Sequence, residues 1–220
     1  MDKIESIRKA CRIADDVFSL FIKNIRKFKS EKEARLFIIR TIRKNGHRIA
    51  FMPIVASGRN AANPHHKAKD KKLQKGFCVV DLGAKYNGYC CDMTRTLYLG
   101  KPTKKERELY NKVLSVQKKA VKMVKVGGHY CDVCVKVRKI LGKRKNHFIH
   151  SLGHGVGKKV HEKPKVNYKS KEIIKKGQVI AIEPGLYYKK KRGLRIEDTI
   201  VIGKKNMVLT KTPKKLIIIA

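Results

Sequence analysis

Residues 75–94 and 176–199 follow one plan. Each begins Lys-Gly, runs on as an apolar segment, and sets an acid two residues before a glycine: Asp81 with Gly83, Glu183 with Gly185. A turn follows, and the return segment closes on an acid and a threonine two residues later: Asp92 with Thr94, Glu197 with Thr199. Two copies of one acidic β-hairpin predict two similar halves facing each other across a shared site. Asn87-Gly88 is a strong two-residue hairpin turn. Residues whose numbers sum to 175, as 87 and 88 do, then face each other. Asp92 falls opposite Gly83, with Asp81 diagonal to it on the same face. Two carboxylates that close repel strongly unless a cation or a proton separates them. A surface lysine can neutralise one such pair, but four acids from two matched hairpins ask for more.

The segment between the two copies supplies imidazoles. His150, His154 and His161 fall within twelve residues, among Gly153, Gly155 and Gly157. Alternating glycines exclude a stable helix and imply extended, closely packed backbone. On such a chain His150 and His154 share a face. Four carboxylates and an imidazole suit two hard-to-borderline divalent ions with bridging carboxylates, manganese or cobalt. Two such ions activate a water and polarise a carbonyl, so the implied chemistry is hydrolysis.

The rest of the chain reads as scaffold. Apolar positions from Ile4 to Phe21 repeat at helical spacing over 3–25. Ser30 with Glu33, and Thr103 with Glu106, are capping boxes that open helices running to about Lys44 and to Gly127-Gly128. A shorter helix covers about Cys131 to Leu141, and the remainder is strand-like. No linker interrupts the 220 residues, and 42% of them are hydrophobic, which predicts one domain over 1–220. The fold class is α/β in the broad sense (α+β). No apolar run approaches the roughly 20 residues of a membrane span, and the amino terminus has no signal-peptide core. The reading is a soluble, cytoplasmic protein with no membrane partner, its six cysteines reduced. The net charge of +38 attracts polyanions. Basic residues run from Lys3 to Lys215 without a dominant block, so any such attraction reads as non-specific, from a diffuse shell. No sequence signal sets the oligomeric state.

Taken together, the motifs resemble the pita-bread metallopeptidases, and within them the Xaa-Pro branch of prolidase and aminopeptidase P. The likeness rests on Val55-Ala56-Ser57-Gly58, Asn60 to His66, Asp81 to Ala84 and Gly88 to Thr96. It continues through His150 to Gly157, His161-Glu162-Lys163-Pro164, Glu183-Pro184-Gly185 and Arg195 to Thr199. The resemblance implies a pita-bread fold: two pseudo-twofold halves, antiparallel sheet and flanking helices. It implies five metal ligands, Asp81, Asp92, His154, Glu183 and Glu197, with Asp92 and Glu197 bridging two ions. It makes Glu183, His161 and His65 catalytic groups, Glu183 as proton shuttle and His161 as stabiliser of the scissile carbonyl. His65, His150, His161, Lys165 and Arg195 would touch or orient substrate, Arg195 by orienting the bridging carboxylates. The implied substrates are short peptides with proline in second position. Two other readings stay open: a methionine aminopeptidase with the same ligands, and a pita-bread protein that binds ribosomes or nucleic acid. The short 183–197 hairpin, His65-His66 after Pro64, and Arg195-Ile-Glu-Asp-Thr resemble the Xaa-Pro branch. Two departures stand out. The additional amino-terminal domain usual in that branch is expected to be absent, which would open the pocket to longer peptides. Lys165 also stands where some prolidases have an arginine, giving charge without a planar fork.

Overall fold

The computed structural model describes residues 2–220. Its first half runs α1 (Lys3–Asn24), α2 (Glu31–Lys44), β1 (Arg48–Ile49), β2 (Ile54–Ser57), β3 (Gly76–Leu82), β4 (Ala84–Tyr86), β5 (Tyr89–Cys90) and β6 (Met93–Leu99). The second repeats that order: α3 (Lys104–Met123), α4 (Tyr130–Leu141), β7 (Gly153–Gly155), β8 (Glu162–Val166), β9 (Val179–Ile182), β10 (Gly185–Tyr188), β11 (Arg192–Arg195) and β12 (Asp198–Val201). Two short strands follow, β13 (Met207–Val208) and β14 (Ile218–Ile219). Each half is thus a helix pair, two short strands, and a hairpin whose tip forms its own small ladder. The repeated plan in the sequence is the repeated architecture of the molecule.

The main sheets are ordered β14-β6-β3-β2 and β13-β12-β9-β7-β8. Only β14 pairs in parallel, along β6, tying the carboxyl terminus back to the first half. The first hairpin keeps the register of its turn throughout, from Tyr86 opposite Tyr89 to Asp81 opposite Thr94 and Gly76 opposite Leu99. Asn87 and Gly88 both have positive φ, 46° and 80°, as a type I′ turn needs. The second hairpin turns through three lysines, with Lys190 at φ 58°. Here Ile182 faces Asp198 and Gly185 faces Arg195, so the register sets Glu183 directly across from Glu197. The two copies therefore differ: their return strands match, while the outgoing acid stands two positions further along in the second. Where the return strands meet, each acid's N–H is held by the other copy's threonine, one through its carbonyl and one through its hydroxyl. The Glu197 N–H donates to the Thr94 carbonyl at 3.1 Å, and the Asp92 N–H donates to Thr199 Oγ1 at 3.1 Å.

Each helix pair covers one core. Ile7, Cys11, Ala14, Phe18 and Phe21 of α1 bury against Val80, Leu82 and Leu97. Val113, Val116 and Ala120 of α3 and Val133 and Val137 of α4 bury against Ile180, Ile182 and Ile200. Asp2 makes no side-chain cap on α1. A lost cap costs about 1 kcal/mol, against about 1.5–3 kcal/mol for each buried side chain of the stripe, so packing fixes this helix. Ser30 caps α2 by accepting from the Glu33 N–H at 3.2 Å. The reciprocal half of that capping box is not made, because the Glu33 carboxylate instead takes the Lys29 N–H at 2.6 Å. The Thr103–Glu106 box is complete. Helix α3 ends at Met123, short of the glycine pair, since Asn206 Nδ2 donates to the Val121 and Val124 carbonyls at 2.8 and 2.7 Å. No helix among the described residues is long and apolar enough to cross a membrane.

One ion pair is buried under α3. Arg95 Nη2 donates to Asp198 Oδ1 at 2.8 Å, and Gln117, Thr210 and Lys214 complete the carboxylate's partners. Burial alone would raise the Asp198 carboxyl, but Arg95 and Lys214 hold it below the ordinary range. A depressed acid stabilises the fold above its unfolded pKa of about 3.9, and that contribution is lost as pH falls through the folded value. Asp198→Asn, leaving Arg95 unpaired, should cost about 3–5 kcal/mol at neutral pH. In urea unfolding from about pH 5 to about pH 2 the variant should lose less stability to acid than wild type. Parallel pH profiles would show that Asp198 carries none of the acid sensitivity.

Candidate metal centre and substrate cleft

The glycines place the histidines. A Cβ on Gly153 would stand 1.9 Å from the Ala181 carbonyl oxygen, and one on Gly155 would stand 2.1 Å from that of Lys163. No side chain fits there, so β7 lies pressed between β8 and β9 and turns His154 toward the hairpin acids. The His154 Nδ1 lies 3.1 Å from the Gly155 carbonyl. That contact assigns the proton to Nδ1 and leaves the Nε2 lone pair facing the carboxylates. Burial and the neighbouring His161 push the His154 pKa down to about 4, and burial and Arg195 push His150 to about 3. Both imidazoles are neutral at pH 7. The approaches of His154 Nε2 to Asp92 at 3.6 Å and Glu183 at 3.7 Å are therefore not ion pairs. They are donor atoms facing a common point.

Three overlapping groups have ligand atoms within 4.8 Å of one another: Asp81, Asp92 and Glu197; Asp92, His154 and His161; His154, Glu183 and Glu197. Asp92 and Glu197 each belong to two groups. Asp81 Oδ1, Asp92 Oδ1 and Glu197 Oε1 are buried without any hydrogen-bond partner. Buried acceptors are almost always satisfied, so three unsatisfied carboxylate oxygens in one cluster call for a cation. Crowding says the same. Burial first, then Glu197, Asp81 and Glu183, pushes the Asp92 carboxyl well above its usual range. Burial, then Glu183 and Asp81, does so for Glu197. Burial lifts Glu183 to about 7 against the pull of Arg195. Such a cluster stays ionised only if positive charge enters it. The mixed oxygen and nitrogen donor set fits divalent metal.

Above the cluster opens a cavity of about 760 Å³. All ten side chains nominated from the sequence line it: the four acids Asp81, Asp92, Glu183 and Glu197, then His154, His65, His150, His161, Lys165 and Arg195. One wall is apolar, from Phe51, Met52, Ile54 and Pro64; the other carries His161, Lys163, Lys165 and Asn167. His161 is exposed at the lip, its ring edge-on to His154 with centroids 4.2 Å apart. His65 and Lys165 stand on the walls, outside the three ligand groups. Arg195 grips Asp81 at 2.6 Å and Thr94 at 3.0 Å. Its hydrogen bonds thus reach Asp81 directly, and reach Glu197 only through Thr94, which donates to Glu197 Oε2 at 2.6 Å.

Two features were not read from the sequence. Tyr187 is buried between Arg195 Nη1 at 2.8 Å and His150 Nε2 at 3.1 Å, linking the acid cluster to the cleft wall. Its trace is Gly193, which faces it across β10–β11 and has no room for a Cβ. Glu31 is buried at the start of α2 and accepts from Ser57, Asn60, His66 and Lys69. It pins the 57–69 segment so that His66 points inward and His65 lines the cleft.

A model described as metallopeptidase family M24 matches residues 5–204. The chain is 42% identical over 221 residues to the Xaa-Pro dipeptidase of Pyrococcus furiosus, covering 98% of this chain and 64% of that protein. It is 42% identical over 220 residues to the Xaa-Pro dipeptidase of Pyrococcus horikoshii, covering 98% and 63%. The crystal structure of recombinant prolidase from Thermococcus sibiricus superposes with a TM-score of 0.95 at 40% identity, over 99% of this chain and 61% of that one. The chain spans just under two thirds of the length of these relatives.

Proposed function

This chain belongs to metallopeptidase family M24, and we propose that it hydrolyses the bond between an amino-terminal residue and proline in short peptides, using two divalent ions. One observation carries the reading: three unpartnered, buried carboxylate oxygens converge beside the neutral His154 at the floor of an open cleft. Likeness to Xaa-Pro dipeptidases supports the choice of bond. Asp92 and Glu197 would be shared between the ions, with Asp81 completing one position and His154 and Glu183 the other. The donor set suits manganese or cobalt. Such ions polarise the scissile carbonyl and lower the pKa of the attacking water.

The chain's own groups do the rest. The apolar wall of Phe51, Met52 and Ile54 receives the amino-terminal side chain. His161, at the lip beside His154, donates to the carbonyl oxygen as it gains charge. A proline nitrogen carries no hydrogen and must be given a proton as it departs. Glu183 stands between His154 and Arg195, where it can take one from the water and pass it on. Lys165 offers a cation to a free carboxylate or to a continuing chain. Six unpaired cysteines, five of them buried, support a reducing, cytoplasmic setting.

Purified protein supplied with manganese or cobalt should release the amino-terminal residue from Xaa-Pro and Xaa-Pro-Xaa peptides and leave Met-Ala-Xaa nearly untouched. Cleavage of Met-Ala-Xaa alone would make this a methionine aminopeptidase. No cleavage of any of the three would leave a binding protein.

A further inference from the structure

Peptide hydrolysis makes no use of a net charge of +38, and part of that charge is gathered by the fold into a groove. Two adjoining cavities of about 630 and 480 Å³ share Lys118 and Lys214 and form one groove between α3 and the 203–216 segment. Neither cavity shares a residue with the catalytic cleft. Arg107 and Lys215 stand at one end, with Lys122, Lys125, Lys204 and Lys205 at the other. No carboxylate lines the groove. Asp198, beneath it, is already held by Arg95, Gln117, Thr210 and Lys214. These cations come from separate stretches of chain, so their convergence is made by the fold and not by a run of lysine. Val121, Val124 and Val208 form the floor, and the two Asn206 bonds to α3 brace it.

We propose that this groove binds the phosphate backbone of a nucleic-acid duplex without reading its sequence. Along α3, Arg107 to Lys122 span about 22 Å at about 1.5 Å per residue. Phosphates on one strand of a duplex recur about every 3.4 Å, so the groove faces about six of them with a similar number of free cations. Single-strand binders without sequence preference stack bases on aromatic rings. No aromatic side chain lines this groove. A pre-formed double-stranded backbone is therefore the better fit, and RNA and DNA duplexes share it.

The test is fluorescence anisotropy on labelled 20-base-pair RNA and DNA duplexes and a single strand of equal length, over a salt series. Lys122, Lys125, Lys204 and Lys205, all exposed, are changed together to glutamine. A control removes the same charge from the exposed Lys23, Lys27, Lys29 and Lys44 of the first helix pair. The groove variant should lose at least tenfold in affinity for both duplexes at low salt, with its log–log salt slope reduced by about 3 to 4. The control should lose under threefold. Both variants should keep full peptidase activity, which reports an intact fold. Equal losses in the two variants would return the charge to a diffuse shell and overturn the proposal. So would a wild type that binds neither duplex, a single strand bound more tightly than a duplex, or a preference above tenfold between RNA and DNA.

Discussion

Asp92→Asn or Glu197→Gln should remove at least three orders of magnitude from kcat, about 4 kcal/mol of transition-state stabilisation, and lower the metal bound per chain. Each substitution keeps the shape of the side chain and exchanges a charged acceptor pair for one acceptor and one donor. Asp92 and Glu197 are the acids that belong to two of the three ligand groups, and each holds a buried oxygen with no other partner. Removing either charge therefore weakens two ligand groups at once. Folding supplies an internal control of opposite sign. Both carboxyls are pushed up by burial and by their acidic neighbours. In metal-free protein near neutral pH, the crowded acids must either take up protons or repel one another, both of which oppose folding, and an amide at one member relieves that cost. The metal-free variants should then melt no lower than metal-free wild type, while losing turnover and metal. Wild-type activity in either variant would sink the two-metal reading. A variant that lost activity only because it unfolded would show it in the melt.

The fold was legible where local chemistry decides it. Asn87-Gly88 alone set the register of the first hairpin, because both positions tolerate positive φ and a two-residue turn leaves no freedom in the pairing. The glycines around His154 announced close backbone contact, and β7 is packed to within 2.1 Å of where a Cβ would stand. Acids carried the site, since two matched hairpins each set a pair of carboxylates at corresponding positions. What escaped was set by distant partners. Glu33 bonds Lys29 in place of Ser30, and α3 stops at Met123 because Asn206, 83 residues past that point, takes its last carbonyls. The offset between the two hairpins depends on a three-lysine loop whose length no turn consensus fixes. Tyr187 and Glu31 read as an ordinary strand aromatic and an ordinary first-turn acid. Only the tertiary structure sets one between Arg195 and His150, and the other beneath His65.

His161→Ala should reduce kcat on Xaa-Pro peptides by roughly 10²- to 10³-fold, the cost of one donor to a developing oxyanion, while KM changes by less than about fivefold. The expectation follows from where the ring sits. His161 is exposed at the lip and packs edge-on to the His154 ring. It makes no buried hydrogen bond whose loss would loosen the fold. It also shares a ligand group with Asp92 and His154, so a second role, as a metal ligand, has to be separated from the first. Metal content separates them. A donor to the substrate carbonyl leaves the metal bound per chain unchanged when it is removed, whereas a ligand takes metal with it. His161→Gln supplies the remaining control, since its amide can still donate and should recover part of the lost kcat. A loss confined to KM would make His161 a binding residue only. Loss of metal in step with activity would move it into the ligand set.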